Sequence, residues 1–346
     1  MERQGESSVR FKTFAAFVAP SMILMILFIA VPLVTVLWGS FHVTQPIVER
    51  VTQEVCTPGF PTQICREVVK NQPVIGDNGR VETRTLFVGL QSYREVMQPE
   101  RAWSALSSGN LASFLSIDFW GALRFTLSFT FITLPLVILV GLGIALGVNS
   151  LTASVKGPVI FVSLLPFIVT PVIGGLSIYW LFVGDGIVTR MLETWQGTDI
   201  AFFAQAWTIE LLMMFYRVWH VAPFAFVIFY AGLQTLNSDA IESAVVDGAS
   251  RWERLRYIVI PHLMPLIVFV ALIHLMDAYR VFEEIIAFRS EAYVKSLQYL
   301  NYDFLQPDDA GNRAISRASA SSMLTMVGIV ILLIPLLRKT WKDQRG

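Results

Sequence analysis

The sequence predicts an all-α integral membrane protein with six transmembrane helices. Two observations carry that prediction. Of 346 residues, 54% are hydrophobic and only 15% are charged. The apolar residues also come in long unbroken runs: residues 13–41, 125–155, 157–184, 257–276 and 318–337 contain no Asp, Glu, Lys or Arg. About 20 helical residues cross a hydrocarbon core, whereas a buried helix of a soluble domain rarely stays uncharged that long.

In chain order, residues 1–12 form a polar N-terminus and 13–41 the first span. That span is too long for a cleaved signal peptide and no small-residue cleavage pattern follows it, so it is expected to remain. Residues 42–123 read as one long loop. The second and third spans are expected at about 125–149 and 158–183, and the fifth and sixth at about 262–288 and 318–337. A fourth span at 206–233 is less clean, because it holds Glu210, Arg217 and His220. FAFVIFYAGL follows them directly, so the segment still reads as spanning, and its polar groups need a polar surface to face.

Six spans place both termini on one side. That side holds Lys156, Arg251, Arg254, Arg256 and the basic termini; the short loops opposite hold Arg190, Arg289, Lys295, Arg313 and Arg317. Long loops cross regardless of charge, so 42–123 is not counted. The bias predicts cytoplasmic termini, a cytoplasmic stretch at 234–261 and an outer loop at 42–123. In a bacterium this is a multi-pass protein of the inner membrane. The net charge of zero says nothing about partners, and nucleic acid is not expected.

The outer loop holds both cysteines, Cys56 and Cys65. In an oxidising compartment a disulfide is expected, two free thiols being the alternative. Zinc is not expected, since the nearest histidine is His42.

Other motifs that resemble chemistry read as packing. GLGIALG at 141–147 has a dinucleotide-like spacing but sits mid-span with no strand before it; Gly143 and Gly147, four apart, are expected to let helices approach closely. LSSGN at 106–110 lies in the outer loop. No GxxxxGK[ST] phosphate loop occurs, so the chain has no recognisable means of hydrolysing ATP. No catalytic triad and no metal-ligand spacing stands out.

Residues 242–261 read ESAVVDGASRWERLRYIVIP. Asp239 is placed to cap a helix and Glu242 to lie in its first turn. Gly248 permits a left-handed exit. Ser250 and Glu253 have capping-box spacing and restart a helix, with Trp252, Leu255, Ile258 and Val259 as its apolar stripe. Pro261 marks the passage into the fifth span. The pattern predicts two short helices with a tight bend. On physics alone the segment is either an amphipathic loop on the membrane surface or a docking element for a cytoplasmic protein.

The segment resembles the EAA loop of importers of the ATP-binding-cassette class, whose pattern is roughly E-A-A-x3-G-x9-I-x-L-P. Glu242, Ala244, Gly248, Ile258 and Pro261 match at that spacing, with Ser243 and Ile260 as mild replacements. DGAS at 247–250, FVGLQSYREV at 87–96 and RFTLSFTFI at 124–132 are similar to elements of sugar permeases. The resemblance covers nearly the whole chain and is to the larger permease subunit of maltose-type sugar importers. One departure is AFRSEAYVKSL after the fifth span, where the family often carries T-x-G-G-P.

The resemblance implies the type I importer permease fold, and an ATP-driven importer in which this chain forms the translocation path for a sugar or sugar-derived solute. It implies a second permease, two copies of a cytoplasmic ATPase that binds ATP and magnesium, and a periplasmic solute-binding protein. This chain is then not an enzyme and binds no cofactor. Glu242, Ala244, Asp247, Gly248, Arg251 and Pro261 would couple to the ATPase. The rival reading is an ion-coupled secondary transporter, with Asp277 and Arg280 as part of a proton relay; a non-transporting scaffold is a third.

The intramembrane polar groups lie on the spans flanking the charged stretch. Arg217, His220 and Phe224 share one face of the fourth, and His274 and Asp277 one face of the fifth. With Arg280 they form the expected solute site, which the resemblance also places on these two helices. The competing reading is structural: Asp277, Arg280 and Glu284 satisfy one another along one helix face.

Overall fold

The computed structural model describes residues 2–57, 64–76, 81–308 and 312–343. Among the described residues, six helices are long and apolar enough to cross a membrane: Thr13–Phe41, Asp118–Asn149, Pro171–Gln196, Ala206–Gln234, Arg251–Ala278 and Ile315–Arg338. The chain divides into two compact units, residues 1–96 with 304–323, and 97–303 with 324–346.

In the first unit, the first span contains a π-turn over Ile26–Ala30, where the Val31 N–H reaches back to the Ile26 carbonyl. Pro32 follows at once. A proline ring clashes with the carbonyl four residues earlier, and widening the preceding turn relieves that clash without breaking the helix. Beyond Phe41 the long loop is not irregular throughout. Strand β1 (His42–Pro46) pairs antiparallel with β4 (Thr83–Phe87), and β2 (Val48–Thr57) with β3 (Ile64–Pro73). The all-α reading thus holds for the spans, while the loop adds four strands. Their signal was the density of Val, Thr and Ile in VERVTQEVCT and ICREVVKNQP. Residues 58–63 and 77–80 of this loop lie outside the described residues.

In the second unit, the second span starts at Asp118, ahead of the expected 125. The segment expected as one span at 158–183 is two helices, Ala153–Ile168 and Pro171–Phe182. Val169 and Thr170 between them are extended, because the residue before a proline is pushed out of the helical region. The fifth span is not 262–288. It runs without interruption from Arg251 through a π-turn at Leu255–Val259 to Ala278. That π-turn again precedes a proline, Pro261, so the second short helix of the charged stretch is the beginning of the span itself. Beyond Ala278 the chain breaks and resumes as Glu283–Ala287. At the break the Tyr279 ring lies against Gly328, where a Cβ would collide with its hydroxyl.

The fourth span is the hub. It packs against the second span along most of its length and also touches the third and fifth. Phe226, Phe229 and Ala225 are fully buried against Val137, Ala145, Leu263 and Val270. The close approach is at Gly141, where a Cβ would lie 2.6 Å from that of Ala225. Gly143 and Gly147, the expected packing pair, have nothing within 4 Å. Gly143 is two residues from Gly141, so on a helix it points away from the fourth span.

Candidate functional site: a cavity between broken helices and an exposed bend

All six residues expected at a solute site, Arg217, His220, Phe224, His274, Asp277 and Arg280, line one cavity of about 540 Å³. Sequence reasoning missed part of its wall. Phe167, Val169, Thr170 and Pro171 from the broken third span line it, as do Ile273, Met276 and Glu283. The signal for the third-span wall was available: Pro166 and Pro171 flank Val169 and Thr170, and a proline pair is a reason to break a helix. Val281, which shares the spacing of His274 and Asp277, is instead fully buried in the apolar core, because the helix ends before reaching it.

The cavity lies where two spans are interrupted. Val169 and Thr170 form one break, and Arg280 sits in the other. Irregular backbone within a membrane is tolerated only where protein or a water-filled cavity satisfies its polar groups. The fourth span does so here. His220 Nε2 lies 2.9 Å from the Val169 carbonyl, and the Tyr216 hydroxyl donates to the Pro171 carbonyl at 2.7 Å. A carbonyl only accepts, so His220 Nε2 carries the proton in that contact. Thr133 already donates to the Phe129 carbonyl and must therefore accept from His274 Nε2 at 3.0 Å. Both imidazoles are fixed by these bonds. Phe224 stacks on Phe167 with ring centres 5.8 Å apart.

The charged groups pair differently from the structural reading of the sequence. Arg217 Nη2 lies 3.2 Å from Asp277 Oδ2, and Arg217 Nη1 lies 3.2 Å from Glu284 Oε1. The Arg217 and Glu284 side chains are 5% and 1% exposed, and that of Asp277 52%. Arg280 makes no ion pair among the described residues. Asp277, Arg280 and Glu284 do not share a helix face, because the break after Ala278 separates them. The guanidinium of the fourth span serves both carboxylates instead, tying it to the fifth span and the short helix beyond. A second cross-span pair, the two-pronged contact of Arg124 with Glu210, gives the remaining polar residue of the fourth span its partner.

The charged stretch forms the expected bend. A helix runs over Ser238–Val246, Gly248 exits it at φ 79°, and a capping box of Ser250 with Glu253 starts the next. The first cap is Asn237, whose side chain accepts from the Asp239 N–H; Asp239 itself lies in the first turn. Ile241, Leu255 and Ile260 pack onto the core. Glu242, Asp247, Gly248, Arg251 and Pro261 are exposed and Ala244 is half-buried. Of the expected stripe, Val259 is buried, Leu255 and Ile258 are half-buried, and Trp252 stays exposed; Val246 and Tyr257 beside it are exposed as well.

Residues 125–339 match the family described as "Binding-protein-dependent transport system inner membrane component". The trehalose transport system permease protein SugA of Mycobacterium tuberculosis is 29% identical over 223 residues, 64% of this chain and 66% of that protein, just under two thirds of its length. The sn-glycerol-3-phosphate transport system permease protein UgpA of Shigella flexneri is 25% identical over 324 residues, 92% of this chain and 90% of that one. Among solved structures, a chain of a bacterial ABC transporter involved in the import of the acidic polysaccharide alginate shares the fold, with a TM-score of 0.69, 18% identity and coverage of 98% and 99%.

Proposed function

Because the chain belongs to the family of binding-protein-dependent transport system inner membrane components, we propose that it is the permease subunit of an ATP-driven sugar importer. The cavity at the two helix breaks is the solute's path, and the residues that hold the solute are Phe224, Asp277, Arg280 and the two histidine-bearing faces. The observation that carries this is the convergence on one cavity of the polar residues of the fourth and fifth spans with the breaks of the third and fifth. Aromatic rings stack on sugar rings, and a half-exposed carboxylate accepts from hydroxyls. The named solutes of the relatives differ in charge: trehalose carries none, and sn-glycerol-3-phosphate is anionic.

The bend at 234–261 is the ATPase-docking element. Exposed Trp252, Val246 and Tyr257 beside Glu242 and Asp247 make a mixed surface suited to a protein groove. Its second half continues without interruption into the fifth span, so a push on the bend moves the helix that carries His274 and Asp277. Two copies of a cytoplasmic ATPase, a second permease and a periplasmic binding protein complete the machine, with both termini of this chain cytoplasmic and ATP and magnesium held by the ATPase. In reconstituted vesicles, uptake should stop on ATP depletion and ignore ionophores. Phe224→Ala should cut uptake while leaving basal ATPase activity intact, and Glu242→Ala should weaken ATPase co-purification. Ionophore-sensitive uptake, or wild-type behaviour of both variants, would reject the assignment.

A further inference from the structure

We propose that a second cavity, at the ends of the first and last spans, holds the headgroup of a membrane phospholipid through its phosphate. This cavity has a volume of about 350 Å³ and lies wholly within the first unit. It shares no residue with the cavity at the helix breaks. The first span ends at Phe41 and the last begins at Ile315, so the cavity sits at the level where these helices leave the hydrocarbon. Its charged lining is two guanidinium groups, Arg313 and Arg317, against one carboxylate, Glu95. Neither arginine makes an ion pair among the described residues. Arg317 lies over the Phe304 ring at 5.5 Å, a contact that steadies the side chain without neutralising it. Glu95 accepts from the Gln91 side chain at 3.0 Å.

Two guanidinium groups with one carboxylate leave the cavity positive, and their forked donors match the oxygens of a phosphate. The opposite wall is apolar and fixed. His42 Nδ1 donates to the Trp38 carbonyl at 2.8 Å, and its ring stacks on the Trp38 indole with centres 3.8 Å apart. Tryptophan is the side chain favoured at the headgroup level of a bilayer. The lipid assignment follows from what lies below the indole. Trp38 is 63% exposed, and Val34, one turn deeper on the same face of the first span, is 61% exposed. An acyl chain lies along that face while the phosphate meets the arginines. A phosphate from solution gains nothing from such a flank.

The test titrates the full-length chain, in a neutral detergent, with dioleoyl phosphatidylglycerol and reads bound lipid by native mass spectrometry. Arg313→Gln combined with Arg317→Gln should weaken binding of the first lipid at least about tenfold, because two charge-assisted contacts are lost. Arg84→Gln combined with Arg190→Gln removes the same charge from exposed positions outside the cavity and should leave binding unchanged. Glu95→Gln should tighten binding, an outcome that misfolding does not imitate. Dioleoylglycerol, which lacks the phosphate, should bind the wild-type chain and the Arg313→Gln, Arg317→Gln chain alike, and inorganic phosphate should not displace the phospholipid. Equal weakening by the two arginine pairs, no weakening by either, or failure of Glu95→Gln to tighten binding overturns the site. Dioleoylglycerol binding that falls with the Arg313 and Arg317 substitutions overturns recognition through phosphate. Displacement by inorganic phosphate overturns the lipid as the occupant and leaves a phosphate from solution in its place.

Discussion

None of the most apolar window of the first span is buried within the chain, whereas 61% of that of the fourth is, although the fourth has the lower mean hydropathy. In water the order would be reversed. In a bilayer a residue facing lipid must be apolar, and a polar residue is tolerated only where a partner meets it. The first span has no Asp, Glu, Lys or Arg and turns Leu27, Phe28 and Val34 outward. The fourth carries Glu210, Arg217 and His220 and each has a partner from elsewhere in the chain: Arg124, the carboxylates of Asp277 and Glu284, and the Val169 carbonyl in the break of the third span. Along the fourth span, the charged residues Glu210 and Arg217 mark the inside.

The comparison breaks most sharply at Glu284. Glu284→Leu strands a buried guanidinium with half its neutralising partners, and removal of one member of a buried ion pair costs about 3–5 kcal/mol. Leu27→Ala on the exposed first span is expected to stay within about 0.5 kcal/mol. Thermal unfolding in detergent should therefore separate the two variants by many degrees. Equal midpoints would mean that the buried ion pairs do not hold the fourth span in place.

Glycine spacing sharpens the comparison at the next level down. Gly141→Leu must push a side chain into Ala225, and overpacking a tight contact costs about 1–3 kcal/mol. Gly143→Leu meets nothing within 4 Å and is expected to leave the purified chain's unfolding midpoint unchanged. Equal losses in the two variants would show that the helices cross elsewhere.

The spans themselves were legible because run length is a direct consequence of bilayer thickness. The bend at 242–261 was legible because Gly248, Ser250 and Glu253 each act within a turn of their own position. The cavity-lining residues came out together because Arg217, His220 and Phe224 share a face of one unbroken helix. What failed needed information from a second helix. Gly143 and Gly147 have the same spacing as any packing pair, and only the fourth span's position selects Gly141. Arg280 and Glu284 were assigned to one face on the assumption that the fifth helix continued, yet it stops at Ala278 with no proline or glycine in 277–284 to announce it. Tyr279 seated against Gly328 on the last span is the visible accompaniment of that stop, and the two lie 49 residues apart in sequence (328 − 279).

The smallest effect on the spans is expected from the ladder that follows the first of them. Strands β2 and β3 form a two-stranded hairpin, and such a pair is marginal in water without further support. The register sets Cys56 directly opposite Cys65. Directly opposed residues of an antiparallel pair have Cα atoms about 4.5–5.5 Å apart, within the range a disulfide spans. We infer that the two are bridged once the loop reaches an oxidising compartment. Closing so short a loop contributes about 2–3 kcal/mol, confined to the hairpin. Non-reducing mass spectrometry of digests should find the two cysteines linked. Reduction should speed proteolysis within 48–73 and leave unfolding of the spans where it was. A lowered midpoint for the spans on reduction would mean that the hairpin supports the membrane helices, and the contrast between a self-stapled outer ladder and a partner-held fourth span would fail.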